Sequence, residues 1–83
     1  MGKNLKSLLL DLKSSNDANY IINYFGSDFL DDYNRLEKVN DNIPVLEFLN
    51  EESIDIDNEC ITDEKKLRKE VFSMLDDALS QIK

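Results

Sequence analysis

The chain has 83 residues, of which 41% are hydrophobic and 34% charged, and its formal net charge is −8. This size allows one small domain and disfavours a multi-step enzyme with its own substrate domain, and the composition disfavours general disorder. The acidic balance repels nucleic-acid phosphates and anionic membrane surfaces, so it favours a basic protein partner, with solubility alone as the alternative explanation.

The first predicted helix covers residues 4–14. Its apolar side chains recur at the spacing that stacks them on one helix face. They are Leu5, Leu8, Leu9 and Leu12. The apolar run is broken by Asp11 and is too short for a secretion signal or a membrane span, and the single cysteine, Cys60, excludes an intramolecular disulfide. These features predict a cytoplasmic protein.

The second predicted helix begins after a cap at Ser15 or Asn16 and continues to Leu36. Its apolar positions keep helical spacing across Gly26, so one continuous helix is expected, although glycine makes a kink or a split at that point an alternative. The apolar positions are Ala18, Ile21, Ile22, Phe25, Phe29, Tyr33 and Leu36.

The third predicted helix is short and ends near Glu52. Pro44 suits its first turn, and Asn42 is a suitable cap. In the following connection Ile54 and Ile56 alternate with acids, a pattern that would hold the connection against the core while the acids face water.

The last predicted helix is opened by Thr62. Acids in its first turn complement the helix dipole, and apolar residues keep helical spacing for about five turns. They are Leu67, Val71, Leu75, Ala78 and Ile82. Four amphipathic segments with short connections predict an all-α fold: one domain over residues 1–83, built as a small antiparallel four-helix bundle with an acidic connection before the last helix.

The sequence contains few residue patterns that are typical of catalytic or metal-binding sites. The chain has no histidine, and the carboxylate pairs at positions 31–32 and 76–77 diverge on a helix, so they are interpreted as solvated faces. An EF-hand frame beginning at Asp55 fails because Cys60 replaces the required glycine and Lys66 the bidentate glutamate. We therefore predict no enzyme, no metal and no cofactor, and a partly buried Cys60 rather than a nucleophile.

The acidity is concentrated in residues 41–64, which contain nine acids and no Lys or Arg. Such segregation of charge steers a basic partner, although an ordinary acidic loop is the alternative. Aromatic residues at helical spacing are either core residues or interface anchors, and the sequence leaves both open for Tyr20, Tyr24 and Phe48.

A resemblance emerges from the order of these features and from Asp63, Leu67, Val71 and Leu75, which follow each other at four-residue intervals. This pattern, most specific over residues 45–79, resembles the bacterial self-protection immunity proteins of the colicin D type, which also occur beside contact-dependent growth-inhibition toxins. The resemblance implies a cytoplasmic inhibitor that binds the basic nuclease domain of a cognate toxin, most simply a tRNase, and blocks its cleft with acids that stand in for RNA phosphates.

The expected partner-binding residues are those of the matching acidic region. They are Glu47, Phe48, Glu51, Glu52, Asp55, Asp57 and Glu59. Direct nucleic-acid, membrane and small-molecule binding are not expected. Two other interpretations stay open: a phage-type acidic mimic that inhibits a defence nuclease, and a helical adaptor with no nuclease target.

Overall fold

The chain folds as an assembly of helices. A computed structural model describes residues 5–39 and 43–82, and every regular element in these ranges is an α-helix, which confirms the all-α fold class. The helices are α1 (Leu5–Ser15), α2 (Ala18–Gly26), α3 (Asp28–Val39), α4 (Ile43–Asn58) and α5 (Glu64–Gln81). The described ranges thus hold five helices where the sequence predicted four.

Helix α1 matches its prediction, with Leu5, Leu9 and Leu12 buried; Asn4, its predicted first residue, lies outside the described residues. The junction after α1 differs from the prediction. Asn16 has φ 57, a left-handed conformation that Asn tolerates better than most residues, so it ends α1 and does not cap α2. The cap is Asp17, whose side chain accepts a hydrogen bond from the Tyr20 N–H at 3.2 Å.

The prediction of one continuous second helix is wrong, because the helix is interrupted at Ser27, which separates α2 from α3. This residue has φ −135 and ψ −73, and its N–H donates to the Tyr24 carbonyl while its Oγ donates to the Asn23 carbonyl at 2.9 Å. Gly26 weakens the helix, and Asp28 favours a new helix N-terminus immediately afterwards.

Helix α4 is longer than predicted, because it continues through the expected acidic connection to Asn58. Ile56 is buried, but Ile54 is half exposed on the opposite side, so the alternation of these two residues reflects a helix and not a pinned loop. Ser53 continues the buried stripe, with its Oγ donating to the Asn50 carbonyl at 3.0 Å. The connection shortens to residues 59–63. The proposed cap Asn42 lies outside the described residues.

Helix α5 follows its prediction closely. Its cap is Asp63 and not Thr62, and the Asp63 side chain accepts a hydrogen bond from the Lys65 N–H at 3.0 Å. The apolar stripe is buried at Val71, Leu75 and Ala78. This agreement reflects the two independent signals in the sequence, the stripe and the acidic first turn.

All five described helices contribute to one core, at whose centre lie α2, α4 and α5. Helix α2 contacts each of the other four helices, and the most extensive contact joins α4 to α5. The buried apolar residues are Leu5, Leu9, Leu12, Ile21, Phe25, Phe29, Leu36, Val45, Leu46, Leu49, Ile56, Val71, Met74, Leu75 and Ala78.

In the ranges that the structure describes, no helix has both the length and the hydrophobicity of a membrane-spanning segment.

Candidate functional site

The outer face of α4 carries a line of carboxylates, here called the acidic row: Glu47, Glu51 and Asp55. These residues are spaced four apart, so each lies about 6 Å further along the helix axis and about 40° around it. All three are exposed, while Leu49 and Ile56 on the opposite face are buried in the core. Packing of the apolar face therefore fixes the direction in which the acidic row points.

Two other predicted site residues flank the acidic row. Phe48 and Glu52, also four residues apart, are both half-buried, and Phe48 packs against the edge of the core. Phe48 is thus intermediate between the two roles that the sequence allowed. Glu59 is exposed just beyond the end of α4, where its N–H donates to the Asp55 carbonyl at 3.1 Å. These residues widen the acidic surface on one side.

Asp57 is separated from the acidic row. Two residues along a helix correspond to a rotation of about 200°, so the Asp55 and Asp57 side chains point to nearly opposite flanks of α4. Asp57 lines a groove between α2, α3 and α4, together with Ile22, Leu30 and Ile54. The structure therefore divides the predicted acids between two adjoining surfaces.

No cation neutralises these acids within the described part of the chain. The ion pairs found there join Lys13 Nζ to Asp76 Oδ1 at 2.6 Å and Arg35 Nη2 to Asp32 Oδ1 at 3.1 Å, away from α4. Like charges four residues apart on a helix repel each other by about 0.2–0.5 kcal/mol per pair. The acidic row thus destabilises the helix that carries it.

A second acidic surface lies where α1, α2 and α3 meet, and sequence reasoning missed it. It is an open groove of about 550 Å³ whose walls include Tyr20, Tyr24, Asp28 and Asp31. The available signal was the four-residue spacing of the two tyrosines and of Asp28 with Asp32. Unlike the acidic row, this surface contains its own cation, Arg35.

The polar contacts in this groove centre on Asp32. The Tyr24 hydroxyl donates to Asp32 Oδ2 at 3.1 Å, while Arg35 donates to the other oxygen. Burial, reinforced by the hydrogen bond and by the negative charge of Asp32, raises the pKa of Tyr24 above its ordinary value. Half-buried Asp32 is therefore not the solvated carboxylate that the sequence suggested, whereas Asp31 is exposed as expected.

The described residues contain no group of three or more His, Cys, Asp or Glu side chains arranged to hold a metal ion. The start of the rejected EF-hand frame is helical, which directs Asp55 and Asp57 apart. Cys60 is exposed, so its predicted partial burial is wrong, and its φ of 51 places it in the left-handed region at the end of α4.

The chain matches no protein-family model, no curated protein and no solved structure. The chemistry available on α4 is electrostatic attraction of cations by the acidic row, beside an apolar groove with one acid at its edge. Both features are suited to a protein surface that carries Lys or Arg next to apolar side chains.

Proposed function

We propose that this chain is an immunity-type inhibitor that binds the basic nuclease domain of a bacterial toxin, with tRNA as the substrate of that nuclease. The observation that carries the proposal is the acidic row, an exposed line of three carboxylates that no described Lys or Arg neutralises. The cytoplasmic location and the antiparallel four-helix arrangement, with α2 and α3 counted as one broken helix, are parts of the same proposal.

The charge distribution supports a basic partner. Residues 41–64 carry nine acids without a Lys or Arg, whereas the rest of the chain has nine acids and ten bases. A negative field concentrated in one region of the chain accelerates encounter with a cationic surface and orients the approaching molecule. A nuclease cleft is such a surface, because it must neutralise the phosphates of its substrate with Lys and Arg.

In the proposed complex, α4 presents the acidic row to the cations of the cleft. The backbone that carries these carboxylates is held by a packed helix before binding, so little backbone order is lost on association, and the cost is limited to fixing the exposed side chains. A carboxylate that enters the cleft forms charge-assisted hydrogen bonds, and removing one partner of such a buried pair costs about 2–5 kcal/mol. Acids that stay at the rim, as expected for Glu59, affect mainly the association rate.

The decisive experiment uses the protein encoded directly upstream of this chain. Its C-terminal domain is purified with and without this protein, and cleavage of tRNA is measured as a function of inhibitor concentration. The proposal predicts a stable complex and loss of cleavage at equimolar inhibitor. Full nuclease activity in the presence of excess inhibitor would contradict it.

Charge-reversal variants test the surface. Changing Glu47, Glu51 and Asp55 together to Lys should abolish inhibition, because three attractive contacts become repulsive. The matched control changes Asp31, Glu70 and Asp77 to Lys, which alters the net charge equally but leaves α4 intact. Equal loss of inhibition in both variants would indicate that net charge, and not the acidic row, is recognised.

A further inference from the structure

The groove between α2, α3 and α4 exposes apolar side chains that the fold leaves uncovered. Leu30 and Ile54 are 57% and 50% exposed, and they face the groove together with Ile22 and Phe25. Its volume is about 160 Å³, close to that of an engineered cavity of about 150 Å³ that holds one benzene molecule. The groove therefore has the size of one apolar side chain.

The glycine at the groove is not required by the backbone. Gly26 does not have a positive φ, and a Cβ atom added to it would meet nothing within 4 Å beyond its chain neighbours and the backbone of its own helix. A residue with a side chain would favour the helical conformation of α2 by up to about 1 kcal/mol relative to glycine. The absence of a side chain at Gly26 keeps space open in the groove.

The groove is continuous with the acidic row. Ile54 lies three residues after Glu51, so the two side chains are neighbours on the exposed side of α4. Asp57 is the one charged residue among the described residues that line the groove. An apolar surface with an acidic border is complementary to an apolar side chain that has Lys or Arg beside it.

We infer that this groove is the anchor site for the basic partner, receiving one Leu, Ile, Met or aromatic side chain next to a Lys or Arg that pairs with Asp57. The inference rests on the proposed function and adds a second element to that interface. A second copy of this chain is a poorer occupant, because it would bring another Asp57 and another acidic row toward the first.

The two elements of the interface differ in their effects on binding. An apolar anchor in a pocket with a polar border contributes mainly by slowing dissociation and is insensitive to salt. The acidic row acts mainly through the association rate, which falls as salt increases. Kinetic measurements therefore separate the contribution of the groove from that of the acidic row.

The test measures association and dissociation rates with the purified nuclease domain encoded beside this chain. Gly26→Leu fills part of the groove, and Ile54→Ser removes part of its apolar wall. Each should weaken binding by about 10- to 100-fold through faster dissociation. Leu10→Ser is the control, because Leu10 is a similarly exposed apolar residue (47%) that lies on α1, outside the groove. The affinity of this control variant for the nuclease domain should change less than about twofold. Helical circular dichroism verifies that every variant is folded.

Wild-type affinity in both groove variants would overturn the inference, and if the acidic-row variant were still impaired the proposed function would stand. No binding of the nuclease by the wild-type chain would remove both proposals. Dimerisation of the chain that is abolished by Ile54→Ser would assign the groove to a second copy and would equally overturn the inference.

Discussion

The guanidinium of Arg68 on α5 donates a hydrogen bond at 3.1 Å to the carbonyl oxygen of Asn16, a residue 52 positions earlier that ends α1. It also donates to the Asn16 side-chain oxygen, and its central carbon lies 4.8 Å from the centre of the Phe72 ring. These contacts attach the turn between α1 and α2, which has a left-handed residue, to the N-terminal half of α5.

Arg68→Ala should destabilise the protein by about 1 kcal/mol, since it removes hydrogen bonds to a carbonyl and a cation–π contact at an exposed site. Arg68→Lys keeps the charge but loses the planar fork, so it should recover less than half of this loss. Urea unfolding measures both variants. Equal stability of the Ala variant and the wild type would show that the contact does not hold the turn.

Tyr24 should make the stability depend on alkaline pH. Its folded pKa is raised by burial and by its hydrogen bond to Asp32, so the folded state keeps the phenolic proton that the unfolded chain releases above about pH 10. The contribution is complete below pH 10 and decreases as pH rises toward the folded pKa, by at most about 1.4 kcal/mol per pH unit. Partial solvation of the phenol reduces this slope.

This effect is isolated by comparing wild type with Tyr24→Phe. The free energy of unfolding of both proteins is measured in urea from about pH 8 to about pH 11, a range that includes the ordinary tyrosine pKa. The variant should be less stable by about 1 kcal/mol at pH 8, and the difference should shrink as the pH rises. Tyr20→Phe, at a tyrosine that is 56% exposed, is the matched control. A difference that stays constant with pH would exclude the proposed coupling.

Cys60→Gly should stabilise the free protein. A non-glycine residue in the left-handed region costs about 1–2 kcal/mol, part of which is offset because glycine is more flexible in the unfolded chain. With φ 51 at Cys60, the net gain should be about 0.5–1 kcal/mol, measured by thermal unfolding under reducing conditions. Cys60→Ala keeps the strain and should show no such gain; a Gly variant no more stable than the Ala variant would contradict the explanation.

Glu51→Lys should stabilise the free protein while it weakens partner binding. The substitution converts repulsion with Glu47 and Asp55, each four residues away, into attraction, for a gain of about 0.8–2 kcal/mol at low salt. The gain should diminish at high salt in urea unfolding. Glu70→Lys changes the net charge equally but introduces a positive charge four residues after Lys66, so it should not stabilise. Similar gains in both variants would attribute the effect to net charge.

The sequence predicted a helix well where an apolar stripe coincides with acids at its start, as for α5 with Val71, Leu75 and Glu64, although it placed the cap one residue early, at Thr62. It failed at Ser27 because Phe25, Phe29 and Tyr33 keep helical spacing across the break, with ring centres 4.9 and 5.8 Å apart. An apolar pattern cannot reveal a break that preserves the stacking of its residues. The interruption at Ser27 is instead set by local polar contacts: the Ser27 hydroxyl and N–H bond to carbonyls at the end of α2, and Asp28 begins α3.

The length of α4 was missed for a different reason. A polar residue, Ser53, occupies a buried position of its stripe and satisfies its hydroxyl within the helix, so the periodicity is interrupted in the sequence but not in the structure. Once α4 is continued to Asn58, the four-residue spacing of the acidic row and the separation of Asp57 follow directly. The groove could not be predicted, because Leu30 and Ile54 come from segments that only tertiary packing brings together.

Helix α4 packs one face into the core and carries its charges on the other face. This arrangement limits how small a fragment could present the acidic row. An excised peptide of these 16 residues would lose the packing that stabilises most protein helices and would keep the repulsion along the acidic row. It would be largely unfolded in water. A reduced version of this surface should therefore retain the whole domain or replace its core with a covalent staple across the buried face.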